Sequence, residues 1–286
     1  MSTLDLTSPV QLKDLLYKHG LRPRKRFGQN FLVDRNVLNK VLDALDIKEG
    51  DPVLEIGPGV GTLTLGLAER GARVVAVELD RDMIAVLGET LSGTSNVEVV
   101  SGDFLRFDLP SFITEHFGDA RIKICGNLPY NITSPIITKI FTAHQEQVER
   151  VVMMIQKEVA ERLEAVPGTR AYGSLSVFVQ YHSDPEIIGF VSGNSFLPPP
   201  DVTSAIVRLN SKASPFKVQN ETLFFDVVHC ALSKRRKTLQ NSLTDCPPLF
   251  LPKEKVAEAL KNADIDPFRR AETLSIEEFS RIADSL

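Results

Sequence analysis

Val53-Leu54-Glu55-Ile56-Gly57-Pro58-Gly59-Val60-Gly61 carries a short apolar run directly into three glycines, and a helix-like stretch follows from Thr62 to Arg70. Glycines between a strand and a helix let the backbone turn tightly and come close to a ligand at the helix N-terminus. The same alternation continues outward. Arg73 to Val77, Val97 to Val100 and Arg121 to Cys125 read as further strands, with Arg81 to Leu91 and Leu109 to Phe117 as the helices between them. Strands alternating with helices predict an α/β fold built on a doubly wound, mostly parallel sheet. Val151 to Ile155 continues the strand pattern. Three β-rich pieces follow, around Ser174 to Tyr181, Glu186 to Val191 and Ser204 to Leu209, and are expected to close the sheet with antiparallel strands. Past Leu209 the signals become helical, over Phe224 to Leu232, Arg236 to Leu243, Lys253 to Asn262 and a last helix near Ile276. Ser275 and Glu278 suit mutual capping at the start of that helix. The chain is expected to divide into a larger domain, 1–210, and a small all-helical one, 211–286, joined near Asn210 to Pro215.

The 286 residues, 43% hydrophobic and 24% charged, have ordinary globular composition and can bury a core without disulfide staples. Cys125, Cys230 and Cys246 match neither a disulfide framework nor a zinc site, which fits a reducing cytoplasm. No run approaches the roughly 18 apolar residues of a membrane span, and no signal-peptide segment opens the chain. The formal net charge of −4 gives no hint of a polyanionic partner. Its distribution does. Between Gln11 and Lys40 eight basic residues (Lys13, Lys18, Arg22, Arg24, Lys25, Arg26, Arg35 and Lys40) stand against two acids, Asp14 and Asp34. Lys234-Arg235-Arg236-Lys237 is a second cluster. Two readings stand for each, a local grip on phosphates or a solvated helix face.

The glycine spacing narrows the ligand. A dinucleotide fingerprint wants its third glycine where this chain has Thr62, and here that glycine comes one position early, at Gly61. This leans toward an adenosyl ligand without a pyrophosphate. Glu78 ends the second strand, 21 residues after Gly57, where a carboxylate can accept from both ribose hydroxyls. It could equally cap the helix that begins near Asp80. Gly102-Asp103 follows the third strand at the same edge, so that Asp103 is either a turn residue or an acceptor for the adenine amine of the ligand.

The fourth strand runs into Gly126-Asn127-Leu128-Pro129-Tyr130-Asn131. An exocyclic amine of adenine is a poor nucleophile because its lone pair is delocalised into the ring. If the Asn127 side-chain oxygen and the Leu128 carbonyl each accept one amine hydrogen, the nitrogen can pyramidalise toward an electrophilic methyl group. Pro129 stiffens the turn. Tyr130 can stack on the base, with its π face favouring the positive charge that grows on nitrogen. No strong base is needed, because the methylated ammonium loses its proton to water. A target base must be flipped out or unpaired, so single-stranded RNA is the cheaper substrate. Phe196, in Asn194-Ser195-Phe196-Leu197-Pro198-Pro199-Pro200, offers a second stacking face or a packed loop anchor.

Phe27-Gly28-Gln29-Asn30-Phe31-Leu32, the Glu55 to Gly61 loop, Glu78-Leu79-Asp80, Gly102-Asp103, Asn127 to Tyr130, Phe196 to Pro200 and Arg269 to Leu274 together resemble the KsgA/RsmA family of ribosomal RNA small-subunit adenine dimethyltransferases. The resemblance runs from about Leu21 to the C-terminus. It implies a Rossmann-like class I fold dependent on S-adenosyl-L-methionine, with a seven-stranded sheet and a C-terminal all-α domain for rRNA recognition. S-adenosyl-L-homocysteine is the implied product, and no metal is implied. Asn30 and Leu32 would join Gly57, Glu78, Asp103 and Asn127 as cofactor contacts, with Asn127, Leu128, Tyr130 and Phe196 at the reacting base. The implied substrate is a pair of adjacent adenosines in the 3′-terminal hairpin loop of 16S rRNA, in the assembling 30S subunit. A cytoplasmic monomer away from membranes is the implied setting, with the Arg22 to Arg26 arm and Lys234 to Lys237 as phosphate grips. The rivals are Erm-type enzymes acting on 23S rRNA, a non-catalytic assembly or transcription factor on the same fold, and, more distantly, a nicotinamide dehydrogenase.

Overall fold

A computed structural model describes residues 4–21, 29–143, 146–213 and 218–286. Nine strands occur among them: β1 (Phe31–Leu32), β2 (Pro52–Ile56), β3 (Arg73–Glu78), β4 (Val97–Ser101), β5 (Ile122–Asn127), β6 (Val148–Gln156), β7 (Ser183–Val191), β8 (Phe196–Leu197) and β9 (Ser204–Ser211). Seven form one sheet in the order β4-β3-β2-β5-β6-β9-β7, while β1 and β8 make a separate antiparallel ribbon. The pairs β3–β4, β2–β3, β2–β5 and β5–β6 are parallel, and β6–β9 is antiparallel. This agrees with the α/β expectation.

The parallel strands read as continuous apolar runs because helices cover both faces of such a sheet. Val53, Leu54, Val74, Val75, Ala76, Ile122 and Ile124 are all buried. Helices Thr62–Glu69, Arg81–Thr90, Leu109–Phe117 and Thr133–Ala143 make the crossovers. From β2 the chain winds outward to β3 and β4, then returns to place β5 on the other side of β2. Such a reversal opens a crevice at the carboxyl ends of the strands, where open α/β sheets bind ligands.

Two compact units emerge, one of Met1–Ala160 with Asp184–Ser211 and the other of Glu161–Ser183 with Lys212–Leu286. The longer segment of the second unit begins at Lys212, one residue from the expected cut at 210/211. That unit also includes Glu161–Ser183, which lies inside the expected larger domain, 1–210. The reason is packing: Tyr172, Val177 and Tyr181 share a buried cluster with Phe224, Val228 and Phe279, and the Tyr172 hydroxyl donates to the Leu274 carbonyl at 2.9 Å.

The same segment corrects a second expectation. Ser174 to Tyr181 is not a strand; Ser174–His182 is a helix. Its Val, Phe and Tyr content favours strands only weakly, and tertiary contacts override that preference. As a helix it brings Phe178 and His182 onto one face with ring centroids 4.7 Å apart, and sets Tyr181 5.0 Å from Phe224. The helices Glu221–Leu232, Lys253–Asn262 and Ile276–Asp284 follow the sequence signals, whereas Arg236 to Leu243 shrinks to Leu239–Leu243. Ser275 and Glu278 cap each other as expected: the Glu278 amide donates to Ser275 Oγ at 3.1 Å and the Ser275 amide to Glu278 Oε2 at 2.8 Å.

The cysteine reading is corrected too. Cys230 and Cys246 form a disulfide, their Cα atoms 5.7 Å apart, and only Cys125 stays free. The turn after helix Glu221–Leu232 folds the chain back on itself, an approach that residues 16 apart in sequence do not advertise.

Candidate functional site

The glycine loop leaves β2 with Gly57 and Gly59 at φ of 70° and 58°, the left-handed region that side chains with a Cβ disfavour. Gly126, where β5 passes the same loop, has no room for a side chain: a Cβ there would stand 2.5 Å from the Ile56 carbonyl oxygen. The loop is tied to β3. The Gly57 amide donates to the Val77 carbonyl at 2.9 Å, and the Gly59 amide to Glu78 Oε2 at 3.0 Å. Glu78 Oε1 accepts the Asp80 amide at 2.8 Å. Asp80, not Glu78, caps the helix Arg81–Thr90, its Oδ1 accepting the Asp82 amide at 3.1 Å. Glu78 is only 7% exposed, and with Asp80 as the cap the capping reading for Glu78 falls away. Asp103 begins the turn after β4, with Oδ1 accepting the Leu105 amide at 3.0 Å. It is a turn residue and also faces the crevice.

Asn127 closes β5, and its side-chain nitrogen donates to the Asn30 carbonyl at 2.8 Å. The amide is thereby oriented with its oxygen left to accept. The Leu128 amide donates to the Met154 carbonyl at 3.2 Å and its side chain is buried. The Pro129 carbonyl accepts the Ile132 amide at 3.1 Å, closing the turn. Tyr130 is half-buried with its hydroxyl 2.7 Å from Ser204 Oγ, and burial raises its pKa against that bond.

One cavity of about 370 Å³ gathers Asn30, Leu32, Gly57, Glu78, Asp103 and Asn127, the six residues expected at the cofactor. Leu128, Tyr130 and Phe196 are not among the residues lining it. Phe196 calls for a correction. It is 3% exposed and packs in the core with Leu32, Val37, Val191 and Ile206, because β8 pairs with β1 and sets Phe196 opposite Leu32. It is the packed anchor, not a free stacking face.

The cavity is acidic. Glu55, Glu78 and Asp103 line it, and no lysine, arginine or histidine does so among the described residues. Burial raises the Glu78 carboxyl against the backbone donors of Asp80 and Gly59, which lower it. Glu55 is 1% exposed, and burial pushes its carboxyl up to about 8, opposed by a bond from Thr64 and helped by the charge of Glu78. Such a lining offers acceptor oxygens to hydroxyls and amines, while Glu55, holding its proton up to about 8, adds no full negative charge at neutral pH. The sequence alone assigns Glu55 no role. An acid inside an otherwise apolar buried strand was the available signal.

The basic patches fare unequally. Arg22, Arg24, Lys25 and Arg26 lie outside the described residues, as do Phe27 and Gly28. Lys18 pairs with Glu89 at 2.7 Å and Arg35 with Asp5 at 2.7 Å, which thins the N-terminal excess. Lys234 to Lys237 are all exposed.

The model of the family described as Ribosomal RNA adenine dimethylase matches residues 20–286. A Ribosomal RNA small subunit methyltransferase A from Alkaliphilus oremlandii is 44% identical over 282 residues, 98% of each chain. Among solved structures, a dimethyladenosine transferase from Plasmodium falciparum superposes with a TM-score of 0.74 at 28% identity, covering 88% of this chain and 95% of that one. The 23S rRNA methyltransferase ErmE superposes with a TM-score of 0.65 at 30% identity, covering 90% of this chain and 99% of its own.

Proposed function

We infer what this chain does from one premise: it belongs to the ribosomal RNA adenine dimethylase family. It is a methyltransferase that dimethylates N6 of two adjacent adenosines in the 3′-terminal hairpin loop of small-subunit (16S) rRNA, using S-adenosylmethionine, within assembling subunits in the cytoplasm. The observation that carries this reading is the convergence of Asn30, Leu32, Gly57, Glu78, Asp103 and Asn127 on one cavity, lined by acceptor oxygens of Glu78, Asp103 and Asn127.

S-adenosylmethionine, when bound, supplies a methyl group activated by a sulfonium. Glu78 keeps lone pairs on both oxygens beyond those used by Gly59 and Asp80, and these accept the ribose hydroxyls. Asp103, whose Oδ1 accepts the Leu105 amide and whose Oδ2 stands 3.4 Å from Arg106 Nε, keeps lone pairs with which it would accept the cofactor's adenine amine. Asn127, its nitrogen committed to Asn30, turns its oxygen to the amine of the target adenine, and the Leu128 carbonyl takes the second hydrogen. These two acceptors let the amine pyramidalise, and water removes the proton after transfer, so a neutral amide suffices. Tyr130, anchored at its hydroxyl by Ser204, offers its ring to the base. Lys234 to Lys237 grip phosphates of the RNA.

The large-subunit alternative rests on ErmE at 30% identity, against 44% for a relative named for the small subunit. One experiment decides between them. Labelled S-adenosylmethionine is incubated with unmethylated small subunits, naked 16S rRNA and 23S rRNA, and modified adenosines are mapped by mass spectrometry. Dimethyladenosine in small-subunit rRNA is expected; its appearance in 23S rRNA alone would overturn the small-subunit assignment. Cofactor binding without any transfer would point to a binding factor.

A further inference from the structure

In the second unit, Asp266-Pro267-Phe268-Arg269-Arg270 forms a turn whose backbone is held on every side. The Phe268 amide donates to Asp266 Oδ1 at 2.9 Å and the Arg269 amide to the Asp266 carbonyl at 3.2 Å. The Pro267 carbonyl accepts the Gln240 amide at 3.2 Å, and the Arg269 carbonyl accepts the Leu239 amide at 2.8 Å. The Arg269 guanidinium is engaged by both oxygens of Glu278 and donates to the Thr273 carbonyl at 2.9 Å. Despite this, the Phe268 ring is 75% exposed. A lone exposed apolar residue is ordinary on a protein surface. What distinguishes this one is its neighbours.

Leu239 and Gln240, which pin the turn, follow directly on Lys234-Arg235-Arg236-Lys237-Thr238, whose four cations are all exposed. Arg270, two residues after Phe268, is exposed and pairs with Glu272 at 3.9 Å. Glu278 is paired with Arg269, and Asp266 turns one oxygen to the Phe268 amide. Arg235 donates to the Arg170 carbonyl at 2.6 Å, while Lys234, Arg236 and Lys237 are exposed. An aromatic face on a held backbone beside exposed cations is the chemistry of single-stranded nucleic-acid binding, in which phosphates meet the cations and a base stacks on the ring. The fixed backbone means that little conformational freedom remains to be lost when the base arrives.

We propose that Phe268 is a stacking platform for an unpaired base of the RNA substrate, flanked by the Lys234 to Lys237 phosphate grip. This rests on the reading of the substrate as ribosomal RNA, and it concerns a base other than the one that is methylated. Stacking tolerates any base, so the platform selects an unpaired nucleotide and not a sequence.

The chain contains no tryptophan, so Phe268→Trp installs a single reporter at the platform itself. Titration of that variant with a mixed-sequence single-stranded oligoribonucleotide is expected to quench the tryptophan saturably. Blunt duplex RNA, and heparin as a polyanion without bases, are expected to leave it bright. Phe268→Ala should weaken binding of the same oligonucleotide roughly 5- to 100-fold, with the slope of log affinity against log salt unchanged, while Phe268→Trp retains affinity. An unquenched tryptophan at saturation, equal quenching by heparin or duplex, or an alanine variant of undiminished affinity overturns the platform. None of these touches the methyl-transfer assay above. Conversely, failure of transfer to small-subunit rRNA with quenching intact would sink the proposed activity and leave the platform standing.

Discussion

At Asn127 the side-chain nitrogen is held by the Asn30 carbonyl, so the oxygen is the atom available to a substrate amine. Asn127→Ala removes that acceptor and is expected to lower kcat by about 10²- to 10³-fold, by analogy with deleting one preorganised polar group from an active site. Thermal unfolding should move only slightly, since one hydrogen bond contributes about 1 kcal/mol. A variant that turns over at the wild-type rate in a single-turnover assay would rule out the amine-acceptor role. Glu55 makes a different claim. Its carboxyl titrates near 8 in the folded protein against an ordinary 4.5, so the native state holds that proton more tightly than the unfolded chain does. Stability therefore falls as pH rises from about 4.5 to about 8. Glu55→Gln abolishes this slope, and its stability relative to wild type should grow across the same window in urea melts. Parallel pH profiles for the two proteins would show that Glu55 is not the buried acid described here.

At the scale of elements, the two-residue ribbon of β1 and β8 links the cofactor segment to the core. Phe31 pairs with Leu197 and Leu32 with Phe196, while Asn30, just before β1, meets Asn127. Phe196→Ala should therefore act first on stability, lowering it by about 3–5 kcal/mol as large-to-small core changes do, measured by denaturant unfolding. If the melt were unchanged while activity fell, Phe196 would be acting at the substrate and not in the core. The strand-to-helix passages were legible in the sequence because a glycine turn and a continuous buried run are local signals. Helix Ser174–His182 was not legible, because its pattern satisfies either period and only the rings of Phe224 and Phe225 decide for the helix. The ribbon was equally hidden, since the partners of β1 lie over 160 residues away.

Over the whole molecule, a formal charge of −4 coexists with a compact basic cluster at Lys234 to Lys237. RNA affinity should therefore be local and salt-dependent. Replacing Lys234 and Lys237 by alanine should weaken binding across all sequences and flatten the slope of log affinity against log salt by about 0.7 per lost contact on single-stranded RNA. A slope equal to that of wild type in filter-binding titrations would remove the cluster from the interface. Taken by itself, the sequence determined the parallel α/β sheet, the glycine loop and four of the residues that line the cavity, Gly57, Glu78, Asp103 and Asn127, because each lies within a few positions of a strand end and strand ends share one edge; Asn30 and Leu32 came only through the family resemblance. The tertiary structure alone decided the rest. It moved Glu161–Ser183 into the helical unit, joined Cys230 to Cys246, sank Phe196 into the core and left Glu55 a buried acid. These outcomes depend on contacts between residues distant in the chain, and on the water those contacts exclude, neither of which local pattern records.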